Sequence, residues 1–78
     1  MDDWLSRYSA ALELDLTEDE VEAILDLARD VAHATERRFA PLSAYLAGKF
    51  VTRRVAEGAA SDAAVHEAHE VVGRLLAQ

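Results

Sequence analysis

Apolar residues recur along this 78-residue chain at three- and four-residue spacing, the period of a helix rather than the alternation of a half-buried strand. Only Pro41 and three glycines interrupt the pattern, and alanine, the strongest helix former, is abundant. The spacing predicts four helices, at about residues 3–12, 18–38, 41–57 and 62–77. Short connections between them give an all-α fold, a compact four-helix bundle-like single domain over residues 1–78.

The first helix takes Asp2 or Asp3 as its N-cap and sets Trp4, Leu5, Tyr8, Ala11 and Leu12 on one face. It is short and needs packing to persist. The second begins at a capping box, Thr17-Glu18-Asp19-Glu20, in which Thr17 accepts from the Glu20 amide while Glu20 reaches back. Its predicted core stripe is Val21, Ile24, Leu25, Ala28, Val31, Ala32 and Thr35. Acids crowd its first turn and Arg37 and Arg38 its last, as the helix macrodipole favours. Ala40-Pro41 ends it and opens the third helix, because proline suits a first turn and disfavours helical geometry in the residue before it. Gly58 stops the third helix. Ser61 or Asp62 caps the fourth, where Ala64, Val65, Ala68, Val71, Val72, Leu75 and Leu76 form an unbroken stripe.

Helix three has two apolar sides: Leu42, Tyr45, Leu46 and Phe50 on one, and Ala44, Ala47, Val51 and Val55 on the other. Two apolar faces need two partners. Either the helix is central and packed on both sides by its own chain, or one side is a docking or dimerisation surface. The candidate interface is Ala44, Ala47, Gly48, Val51 and Val55, in which Ala44 and Gly48, four apart, allow another helix to approach closely.

Composition narrows the function classes. A chain this short buries only about 60% of its unfolded surface, leaving little room for an enclosed active site, so an autonomous enzyme is not expected. Cysteine is absent, which excludes disulfides and Cys-based zinc knuckles and leaves nothing to indicate an oxidising compartment. No apolar run approaches the roughly 18 residues of a membrane span, and Met1-Asp2-Asp3 is unlike a basic signal-peptide start. A cytoplasmic protein with no membrane association is expected. The net charge of −7 argues against general nucleic-acid binding.

The charge is uneven. Residues 1–36 hold eleven acids and two bases, and residues 37–78 four acids and six bases. Arg37, Lys49 and Arg53 form a candidate anion-binding set, unless these bases pair with the acidic second helix instead. On helix two, Asp26, Asp30, His33 and Arg37 are neighbours at spacings of four, three and four, opposite the predicted stripe. A carboxylate beside a histidine holds it protonated or orients its tautomer, although such a row also suits a plain solvated face. Arg29 or Arg37 can supply the cation that Asp26 and Asp30 need between them. His66-Glu67-Ala68-His69 spaces its histidines three apart rather than the four of the zinc-protease motif. No third ligand is marked by spacing, so the pair reads as a surface feature and no metal or cofactor is expected. There is no phosphate-binding glycine loop and no nucleophile signature. Trp4, Tyr8 and Tyr45 are expected to be packing residues.

The segments Asp3-Trp4-Leu5, Leu25-Asp26-Leu27-Ala28-Arg29-Asp30-Val31-Ala32-His33, Ala40-Pro41-Leu42 and Tyr45-Leu46-Ala47-Gly48 carry a resemblance. With them the chain resembles the DUF6457-like helical domains of unknown function. These are similar to the C-terminal extension of some actinobacterial molybdenum-cofactor guanylyltransferases and also occur as free-standing short proteins. The similarity spans about the first two thirds of the chain, and Arg38-Phe39 departs from the small or proline residues of the pattern. The guanylyltransferase's own glycine-rich nucleotide loop is absent, so the resemblance implies context rather than chemistry. It draws attention to Arg29, Asp30 and His33, which with Asp26 and Arg37 make the candidate functional face, and to Pro41 and Gly48.

The reading that follows is a non-catalytic accessory or protein-interaction domain in molybdenum-cofactor maturation, with a protein partner or self-association. The alternatives are a small-anion or nucleotide-binding module using Arg37, Lys49 and Arg53, and a homodimerisation module built on helix three.

Overall fold

A computed structural model describes residues 3–78 as four helices: α1 (Asp3–Ala11), α2 (Glu18–Ala34), α3 (Phe39–Ala56) and α4 (Ser61–Leu76). The all-α, four-helix reading holds. The expected N-cap at Asp2 lies outside the described residues, and Asp3 already belongs to α1.

The capping box forms as the sequence predicts. The Glu20 amide donates to Thr17 Oγ1 at 3.1 Å and the Thr17 amide to Glu20 Oε1 at 3.0 Å. At its other end α2 stops at Ala34, a turn earlier than expected. Thr35 turns its hydroxyl onto the Val31 carbonyl at 2.6 Å and leaves helical geometry. Residues 36–38 then form a tight turn in which the Phe39 and Ala40 amides donate to the Glu36 and Arg37 carbonyls. Helix α3 therefore begins at Phe39, and Pro41 falls third in it, where a missing N–H costs nothing. Arg37 and Arg38 lie in this turn, not in the last turn of α2.

Two helices end in the same way. At the end of α3, Gly58 (φ 101°) lets its amide reach Val55 and the Ala59 amide reach Arg54, a Schellman closure on the expected glycine. At the end of α1 the Glu13 amide reaches Ala10 and the Leu14 amide reaches Ser9, with Glu13 itself at φ 58°. A non-glycine residue in that conformation costs on the order of 1–2 kcal/mol, and no sequence signal announced it.

Helices α2, α3 and α4 pack pairwise on one another, and α1 packs on none of them among the described residues. Polar contacts pair the start of α2 with the start of α4 and the middle of α2 with the middle of α4. These two helices therefore run in the same direction, with α3 antiparallel to both. The core is small and rich in alanine: Leu27, Val31, Ala47 and Ala68, with Ile24, Phe50 and Val72 against them. Leu27 is the largest side chain buried almost completely, at 1% exposure.

The stripe of α2 is the predicted one in part: Val31 lies in the core and Ile24 packs against it, but the centre of the face is turned toward Leu27. Glu20, Ala23, Leu27 and Val31 face inward, whereas Leu25 is 63% exposed. The aromatic side chains expected to be packing residues are not core residues: Trp4, Tyr8 and Tyr45 are all more than half exposed. Trp4 and Tyr8 stack on each other with ring centres 5.6 Å apart.

Candidate functional site

The second half of the α4 stripe has no helix over it. Ala64, Val65 and Ala68 are buried, Val71 and Val72 are half-buried, and Leu75 is exposed. Across from them on α3, Leu46 is exposed and Phe50 half-buried. Between the two helices runs an apolar groove of about 330 Å³, floored by Leu27 and walled by Ser43, Leu46, Phe50, Val72 and Leu75. Leu42 and Tyr45 extend the exposed apolar side of α3 beyond it.

This reverses the sides of α3. Of the candidate interface, Ala47 lies in the core, Ala44 and Val51 are half-buried, and only Gly48 and Val55 are exposed. Nothing comes within 4 Å of where a Cβ on Gly48 would sit, so no helix uses it for close approach. The uncovered side is the one that carries Leu42, Tyr45 and Leu46. The reason lies in residue size. Alanine at 47 lets α3 settle close to Leu27, while the larger side chains on the opposite edge have no neighbour to meet.

A polar seam joins α2 to α4 on another side. Glu20 is buried and uses both oxygens: Oε1 caps Thr17, and Oε2 accepts from Ser61 Oγ at 2.6 Å. Ser61 is thus the first residue of α4, after Ala60 as N-cap, and its hydroxyl serves Glu20 rather than its own helix. Burial alone would raise the Glu20 pKa, but the hydrogen bonds from Ser61 and Thr17 outweigh it and hold the carboxyl below its ordinary value. His66 Nε2 donates to Asp19 at 2.8 Å, and His69 Nε2 to Asp30 at 2.9 Å. The bond to Asp19 raises the His66 pKa, and the bond from His69 lowers that of Asp30. The two histidines engage carboxylates well apart on α2, so they do not converge on one point. Sequence spacing within α4 could not reveal these partners, which come from another helix.

The candidate face on α2 is divided by this seam. Arg29 bridges Asp26 at 3.1 Å and reaches Asp30 at 3.9 Å, supplying the expected cation. Asp30 also faces α4. His33 is exposed, and Arg37 has left the helix for the turn. Asp26, Arg29 and Asp30 therefore form one cluster, completed by His69, with His33 close enough to act on Asp30 only through its charge.

No ion pair joins the bases of α3 to α2 among those the described residues show. Arg54 bridges to Glu67 of α4 and to Glu57 at 2.9 and 2.8 Å. Lys49 lies over the Tyr45 ring and Arg53 over the Phe50 ring, at 5.0 and 5.4 Å. Arg37, Lys49 and Arg53 make no ion pair among the described residues. No described helix is long and apolar enough to cross a membrane.

The family model described as Domain of unknown function (DUF6457) matches residues 1–78, and the chain belongs to that family. No curated protein and no solved structure matches it.

Proposed function

We propose that the chain is a non-catalytic protein-interaction domain that receives an amphipathic helix in the groove between α3 and α4. The observation that carries this reading is the groove itself, in which Leu46 and Leu75 are 64% and 60% exposed beside a floor of buried Leu27. An apolar cleft between two helices, open along its length, suits the apolar face of a third helix. Exposed contiguous apolar surface on a small protein marks such contacts. The accessory role in molybdenum-cofactor maturation is part of the same proposal, and it rests on the resemblance of residues 3–48 to the guanylyltransferase extensions.

The test is calorimetric titration into a molybdenum-cofactor guanylyltransferase lacking its own extension. The wild-type chain is expected to bind, and Leu75→Glu to weaken binding at least tenfold while far-ultraviolet circular dichroism stays unchanged. Equal affinity of the two chains would remove the groove from the interaction. Absence of binding by both would remove the molybdenum setting.

Lys49 and Arg53, four apart on α3 and making no ion pair among the described residues, support a second reading, in which they hold a small anion. A guanine-nucleotide titration whose heat is unchanged by Lys49→Ala/Arg53→Ala would end it.

A further inference from the structure

The molecule holds an open groove and also a helix that, among the described residues, packs on none of the other three. Helix α1 presents Tyr8 and, at its end, Leu12, 52% and 49% exposed, and Leu14 follows at 64%. The face is apolar and short, and among the described residues α1 packs on none of α2, α3 or α4. Taking the groove reading above as its basis, we propose that the helix it receives is α1 of a second copy of this chain, so that two copies exchange N-terminal helices in a closed, two-fold dimer.

Area supports a partner of this size. The chain exposes 5806 Å². A folded monomer of 8.6 kDa is expected to expose about 4,700 Å². The surplus of roughly 1,100 Å² exceeds the ~800 Å² that each member of a standard-size complex buries.

Length and charge agree with it. Nine residues of α1 run about 13 Å, and the groove walls, Ser43–Phe50 and Ala68–Leu75, run about 11 Å each. Helix α1 itself carries one acid, Asp3, and one base, Arg7, and Glu13 and Asp15 directly after it make the N-terminal segment net acidic, whereas α3 carries no acid and its Lys49 and Arg53 make no ion pair among the described residues. An acidic segment thus meets a basic rim, where Arg53 lies over the ring of groove-lining Phe50.

The turn after α1 explains why the occupant is another copy rather than the chain's own α1. The Glu13 and Leu14 amides close on Ala10 and Ser9 at 3.0 and 2.9 Å. Leu5, Tyr8 and Leu12 line a small cleft with Leu14 and Leu16. In this arrangement α1 leaves its own groove open, and seating it there requires a change in its placement. A second copy needs no such change. Because each chain offers one helix and one groove, the exchange closes on itself and does not propagate.

The experiment is light scattering coupled to size exclusion on the full chain, with Tyr8→Glu on α1 and Leu75→Glu in the groove. Both positions are more than half exposed, so the fold is retained and circular dichroism checks it. The expected result is a mass of two chains for the wild type and of one chain for either variant. A cysteine-free background allows a second measurement: Tyr8→Cys/Leu46→Cys, oxidised and run on a non-reducing gel, is expected to give a covalent dimer. A wild-type monomer overturns the proposal, as does a Tyr8→Glu chain that stays dimeric, which would mean grooves pairing face to face. A disulfide closed within one chain overturns it in favour of the chain's own α1. A wild-type monomer leaves the groove reading standing, to be decided by whether Leu75→Glu weakens partner binding, whereas grooves pairing face to face or a groove filled by the chain's own α1 overturn both.

Discussion

Helices α1 and α2 are both amphipathic, both follow acidic N-terminal residues, and they differ in what covers their apolar faces. On α2, Leu27 is buried to 1% between α3 and α4; on α1, Tyr8 stays half in solvent. Amphipathicity states that a face seeks cover. It does not state which element provides the cover, or whether that element belongs to the same chain. The difference arises from the connections. The turn at residues 35–38 is short and returns α3 onto α2, whereas the Schellman closure at Glu13 directs α1 away from the three-helix unit.

The strongest way to break this comparison is to cut at the buried leucine. Leu27→Ala is expected to cost about 2–5 kcal/mol in denaturant unfolding, a large share of the stability of a domain this small. Leu25→Ala, at a position 63% exposed, is expected to cost less than about 1 kcal/mol. Equal costs would mean that Leu25 is covered in solution as fully as Leu27.

The twin helix ends give the next contrast. Gly58→Ala forces a side chain into a backbone conformation of φ 101° with open space around it, so the penalty is purely conformational, about 1–2 kcal/mol. Glu13→Gly is expected to act in the opposite direction by up to about 1 kcal/mol. Its effect should appear as slower amide exchange in α1 and not as a higher unfolding midpoint for α2–α4. A matching gain in both would show that α1 and the three-helix unit unfold together.

The polar seam sharpens the comparison through pH. His66 titrates above its ordinary value in the folded chain, so its contribution is complete below about pH 6.5 and is lost as pH rises through the folded pKa. Asp30 and Glu20 titrate below theirs, so their contributions are present above about pH 4–4.5 and are lost as pH falls through the folded values. Stability should therefore be greatest on the mildly acidic side of neutrality. His66→Gln should flatten the decline of the melting temperature above about pH 6.5. An unchanged slope would mean that the bond to Asp19 does not persist in solution. All of these groups lie on α2 and α4, so exchange protection in α1 should vary least with pH.

Much of the local structure was legible in the residues. Thr17 and Glu20 announced the start of α2, and Gly58 announced the stop of α3. The face of α2 was less legible, because Leu25 and Leu27 are two apart and either serves a 3.6-residue period. Asp26 and Asp30 flank the true core and so disguise it as a polar face. Asp30 belongs beside the core only because His69 meets it from α4, and that partner lies 39 residues away. Periodicity also leaves both sides of α3 open as an interface, and the small-residue side proves to be the one on which helices of the same chain pack closely, at Ala47, while the large residues remain uncovered.

The sequence by itself determined the four helices, their caps and stops, and the amphipathic character of each, because these depend on backbone propensity and on neighbours within a turn or two. Tertiary structure decided which stripe of α2 is core, which side of α3 is left open, where the histidines bond, and that α1 lies off the other helices. Those outcomes depend on the sizes and charges of residues brought together from distant parts of the chain, and no local period encodes them.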